Sequence, residues 1–78
     1  MALNLNQAIN KIRELFTHII GTSAFSIDIL EIKDDPLRID IYRITIHMER
    51  VGSGEEKRYI IMYNATQNNI ENIKPLED

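Results

Sequence analysis

Residues able to do chemistry are sparse in this chain. Its two histidines, His18 and His47, stand in none of the HxH, HxxxH or HExxH spacings that bring two imidazoles to one face of an element and so hold a metal. Neighbouring carboxylates occur at Asp34-Asp35 and at Glu55-Glu56. Both pairs border turns, where aspartate bonds its own backbone and glutamate acts as an edge charge. Gly52-Ser53-Gly54 is too short for a phosphate cradle, and a strand pattern rather than a helix follows it. Serines and histidines fall in separate segments with no nucleophile elbow. The absence of cysteine removes disulfides, thiolate metal sites and thiol catalysis together. These residues predict a protein that is no enzyme and needs no cofactor and no metal.

Periodicity predicts the elements that would position any site. Over residues 3 to 20, Leu5, Ala8, Ile9, Ile12, Leu15, Phe16, Ile19 and Ile20 recur at spacings of three and four, the signature of one amphipathic helix. Asn4 is its N-cap, Gln7 completes a capping-box pattern, and Gly21 supplies a left-handed stop. Beyond Gly21-Thr22-Ser23 the period changes to two. Segments 25 to 33, 37 to 51 and 56 to 65 are rich in isoleucine and tyrosine and read as strands. Asp34-Asp35-Pro36 and Gly52-Ser53-Gly54 separate them. A turn at Gln67-Asn68-Asn69 allows a short edge strand near Ile70 to Lys74, ended by Pro75. The fold class expected is α+β: residues 1–78 form a single small domain, one N-terminal helix packed on a three- to four-stranded antiparallel meander.

Pairing the apolar residues gives a register. Matching Phe25 with Ile44, Ile27 with Tyr42, Leu30 with Ile39 and Ile32 with Leu37 aligns the first two strands. In that register the parity of the apolar residues changes between Ile29 and Leu30 and again between Ile41 and Tyr42. Side chains alternate faces with period two, so two explanations stand. Bulges or a sharp coil return both sets to one face, or the hairpin tip turns Leu30, Ile32, Leu37, Ile39 and Ile41 away from the helix as a protein-contact patch. In the second case Arg38 and Asp40 alternate with the patch and stay on the helix side or rim. The third strand pairs Met48 with Tyr59, Ile46 with Ile61, Ile44 with Tyr63 and Glu49 with Arg58, which places Ile60 and Met62 on the outer face with the patch. A domain of this size buries only about 60–65% of its unfolded surface, and oligomerisation is a usual remedy. A homodimer joined through Leu30, Ile32, Leu37, Ile39, Ile41, Ile60 and Met62 is the expected partnership.

Charge narrows the other classes. Twelve acidic against nine basic residues leave a net charge of -3, which disfavours a nucleic-acid coat and a polybasic membrane anchor. Arg43, Arg50, Lys57 and Arg58 with Tyr42, Tyr59 and Tyr63 are the ingredients of a base-stacking sheet, but the register puts all three tyrosines under the helix. A small-ligand or nucleic-acid binding domain using the concave sheet is the alternative to a protein-interaction module. No apolar run approaches the roughly 18 residues of a membrane span, and MALNLNQAINKIREL lacks a basic stretch followed by an apolar one. A cytoplasmic protein is expected.

Two family resemblances attach to particular stretches. YIIMYNATQNNIENIKPL resembles the terminal hairpin of PepSY-type and other cystatin-like α+β modules: a tyrosine-bearing strand, a polar turn and an isoleucine-spaced return. Asn68-Asn69 stands where those modules commonly carry glycine, and asparagine tolerates the left-handed region. The order of features along nearly the whole chain resembles the gas-vesicle accessory protein O family. It has a helix ending in IRELFTHIIG, a strand IDILE with the acidic turn KDD, a long strand closing in MER, then a tyrosine-rich strand and a final hairpin strand. Pro36-Leu37 replaces the aromatic that commonly follows that turn. The second resemblance implies a small cytoplasmic accessory protein without enzymatic activity. The reading on which these arguments converge is a non-catalytic interaction or assembly module.

Overall fold

The computed structural model describes residues 3–21 and 24–76. A helix, α1 (Leu5–Ile20), leads into four strands: β1 (Phe25–Asp34), β2 (Ile41–Arg50), β3 (Glu56–Asn64) and β4 (Asn69–Leu76). They form one antiparallel meander in the order β1-β2-β3-β4. The α+β layout is the one read from periodicity, with the fourth strand present and running past Pro75. Asn4 caps α1 by accepting the Gln7 N–H at 3.1 Å. Gly21 closes it at φ 80, its N–H donating to the Thr17 carbonyl. Thr22 and Ser23 of the expected break lie outside the described residues.

The core forms where the apolar stripe of α1 meets the helix-side row of the sheet. Ala8, Ile12 and Phe16 pack with Ile44, Ile46, Met48, Ile61 and Tyr63, each at most 3% exposed. A buried aliphatic of this size contributes roughly 1.5–3 kcal/mol by leaving water. Phe16 meets Phe25 edge-on at 6.3 Å and Tyr59 at 5.0 Å between ring centroids. The stripe is less covered at its ends, where Leu5 and Ile19 are exposed.

Both expected registers need correction. In β2–β3, Ile44 faces Ile61, Ile46 faces Tyr59, and Glu49 faces Glu56 instead of Arg58. The connection is longer than a two-residue turn: the Arg50 N–H bonds the Glu55 carbonyl at 2.9 Å, and Gly52 and Gly54 take φ of 87 and 69. A slip of two residues leaves every side chain on its expected face. In β1–β2 the displacement is larger: Ile27 faces Met48, Ile29 faces Ile46, and after an irregularity between Ile29 and Glu31, Ile32 faces Ile44. Leu30 is the extra residue of a β-bulge, so the parity change in β1 is a bulge, which moves Ile32 back to the helix side. Strand pairing stops at Asp34 and resumes at Ile41; residues 37–40, expected to be strand, are a loop.

Each sheet edge is blunted against further pairing. The bulge at Leu30 interrupts β1, which also carries Asp28, Glu31 and Lys33. In β4 the Ile73 N–H is taken by the Asn72 side chain at 2.9 Å, and Pro75 has no N–H to offer.

Candidate functional site

The loop of residues 35–40 joins two antiparallel strands without a glycine. Side chains do the work that a positive φ does elsewhere. Asp35 Oδ1 accepts the backbone N–H groups of Leu37 at 2.8 Å and Arg38 at 3.2 Å, an aspartate turn. Its Oδ2 lies 3.5 Å from Arg43 Nε, and the side chain is 7% exposed. The Leu37 N–H and the Arg43 charge hold the Asp35 carboxyl below its ordinary range.

The loop is also tied to the far side of the sheet. Arg38 places its fork on Glu71 of β4, Nη1 to Oε1 at 2.7 Å and Nη2 to Oε2 at 3.0 Å, the bidentate geometry of strong guanidinium–carboxylate pairs. Glu71 reaches it from a second bulge, between the pairs Met62–Asn72 and Tyr63–Ile70. Asn64, 2% exposed, donates from Nδ2 to Glu71 at 2.9 Å and Asp40 at 3.3 Å. Its Oδ1 accepts the Gln67 N–H at 2.9 Å, so this buried amide is satisfied in both directions. The Ala65 N–H donates to the Asp40 carbonyl at 2.9 Å. Hydrogen bonds from Arg38 and Asn64 hold the Glu71 carboxyl below its ordinary value, and the same pairing raises Arg38.

At the apex of this anchored loop two aliphatic side chains stand in solvent, Leu37 at 91% and Ile39 at 97% exposure. Single exposed aliphatics are ordinary. Here two stand on one short loop, with the backbone between them held in place by the Asp35 side chain.

The structure disperses the rest of the expected patch. Leu30 is exposed in the bulge, opposite Thr45 with Glu31. Ile32 is exposed at 38% but belongs to the helix side. Ile60 and Met62 are half-buried on the outer face, opposite Thr45 and Arg43. Ile41 is wholly buried, so its side chain is not on the surface. Arg38 and Asp40, expected on the helix side or rim, are committed to Glu71 and Asn64. Sequence reasoning missed Asn64 and Glu71. The one available signal was their polarity inside otherwise apolar strand patterns.

Elsewhere the chemistry stays thin. His47 lies 3.8 Å from Asp28 and 3.7 Å from Glu56 on the outer face. Among the described residues no group of three or more histidine, cysteine or acidic side chains is arranged to hold a metal. No described helix is long and apolar enough to cross a membrane. Tyr42, Tyr59 and Tyr63 all pack with the helix-side core, and the Tyr63 hydroxyl donates to Asn68, which adopts φ 51. An open groove of about 690 Å³ runs beside α1, with Lys11, Glu14, Leu15, His18 and Ile70 among its walls. Compared with family models, with curated proteins and with solved structures, the chain finds no match.

Proposed function

We propose that this chain is a non-catalytic protein-interaction and assembly module that self-associates as a homodimer through the 35–40 loop. The observation that carries the reading is the pairing of opposites in that loop: a backbone fastened to β2, β3 and β4 by Asp35, Arg38 and Asp40, and the exposed side chains of Leu37 and Ile39 above it. A two-fold pair withdraws four such side chains from water at roughly 1.5–3 kcal/mol each. Translational and rotational costs of about 4–15 kcal/mol oppose this, so the dimer is of modest affinity. A fixed loop loses little further entropy on binding, which is what the anchoring contributes. A cytoplasmic setting agrees with the cysteine-free composition. The resemblance to the gas-vesicle accessory family points to the same kind of role.

Light scattering across concentration tests the reading. The wild type is expected to move toward twice the mass of one chain at high micromolar concentration. Leu37→Asp with Ile39→Asp is expected to stay at the mass of one chain, with stability within about 0.5 kcal/mol of wild type, as befits exposed positions. A wild type that stays monomeric, or a double variant that dimerises unchanged, overturns it.

A further inference from the structure

We infer that the receptor for the 35–40 loop is the groove beside α1 of a second copy of this chain. The inference rests on the proposal that the chain self-associates through Leu37 and Ile39, and it names what those side chains enter. Three observations carry it.

The first is shape. The groove holds about 690 Å³, inside the roughly 300–1,000 Å³ range of clefts that bury ligands, and it is open to solvent along α1. Leu15 and Ile70 form its apolar walls. The helix stripe is under-covered nearby, with Ile19 at 60% exposure.

The second is charge. Lys11 stands on the groove with one carboxylate, Glu14, and Lys11 has no acidic partner within 4 Å among the described residues. The loop and its shoulder are acidic: Asp34, Asp35 and Asp40 against Lys33 and Arg38. Arg38 is occupied by Glu71 and Asp40, Asp35 is paired with Arg43, and Lys33 lies 3.6 Å from Glu31. Asp34 is exposed and carries no ion pair among the described residues. An acidic loop entering a groove with a free ammonium is complementary, whereas two such loops meeting face to face are not.

The third is elimination among self-contacts. The β1 edge is bulged and charged, and the β4 edge has its donors capped or missing, so strand addition is disfavoured. The loop cannot enter its own groove, since the Arg38–Glu71 and Asn64–Asp40 bonds hold it to the sheet. A loop-to-groove contact exchanged by both partners closes a two-fold dimer.

The experiment uses a chain that has the groove but lacks the loop's apolar apex. Nitrogen-15-labelled Leu37→Asp/Ile39→Asp protein is titrated with unlabelled wild type, and amide shifts are followed. Shifts that saturate at Lys11, Glu14, His18 and Ile70 are expected. Adding Lys11→Glu to the labelled chain is expected to weaken the titration several-fold while the dispersed spectrum of a folded protein is retained. Shifts confined to residues 35–40, or no shifts while wild type alone dimerises, overturn the groove assignment and leave the loop-mediated reading intact. A wild type that is monomeric throughout overturns both.

Discussion

β2 is entered through one loop and left through another, and the two solve the same closure problem by opposite means. The connection at 51–54 relies mainly on local geometry: Gly52 and Gly54 take positive φ, and Ser53 Oγ donates to the Arg50 carbonyl while accepting the Glu55 N–H; its one long-range tie is a backbone bond, the Val51 N–H to the Ala24 carbonyl at 2.9 Å. Residues 35–40 rely on distance: Asp35 reaches Arg43, and Arg38 reaches Glu71, thirty-three positions along the chain. Both leave aliphatics in solvent, Val51 in one and Leu37 with Ile39 in the other. Only the second holds its apolar residues through side chains from other strands. A turn fixed by its own dihedrals can be exchanged without consequence elsewhere, whereas a loop fixed across the sheet makes its shape a property of the whole domain.

The sharpest way to break the contrast is Asn64→Ala. The substitution strips a donor from Glu71 and Asp40 and leaves the Gln67 N–H without its acceptor. The expected loss is about 1–3 kcal/mol, the range for orphaning buried polar groups, with faster amide exchange at residues 37–41. Urea denaturation showing under about 0.5 kcal/mol would mean the two loops are equally local. Gly52→Ala probes the other side. A Cβ there meets nothing within 4 Å, so the cost is the dihedral strain alone, about 1 kcal/mol, and exchange at 35–40 stays unchanged.

Acid gives the smallest and most selective effect. Asp35 and Glu71 have folded-state values below their ordinary 3.8 and 4.5. Their contribution is therefore fully present above those ordinary values and is lost as pH falls below them, through the lowered folded values. Titration by NMR is expected to move the Leu37, Arg38 and Ala65 amides in that acid window while the Val51 and Gly52 amides hold still. Simultaneous movement of both groups would count against a separate clasp.

Which parts were legible in the sequence follows from the same contrast. The stripe through Ala8, Ile12 and Phe16 and the caps Asn4 and Gly21 are local signals, and they place α1 correctly. Ile44, Ile46, Met48, Ile61 and Tyr63 fall on the helix side in either register, since a slip of two residues leaves parity, and so face, unchanged. Leu37 and Ile39 look like strand in the sequence because they alternate with Arg38 and Asp40 as strand residues do. What cancels that pattern is the Asp35 turn and a guanidinium bond to a residue in β4, and neither leaves a periodic trace. The anchoring set was illegible for the same reason: Glu71 meets Arg38 only because a bulge rotates it off the ladder.

The capped outer edge of β4 has a consequence for growth. A polymer chemist would call Asn72 and Pro75 end-groups: the Ile73 amide is already bonded within its own strand, and position 75 carries no hydrogen to offer. With the opposite edge broken at Leu30, both edges resist the strand-to-strand pairing by which an indefinite ribbon propagates. Contacts that seat side chains in a surface, by contrast, stop when the surface is filled.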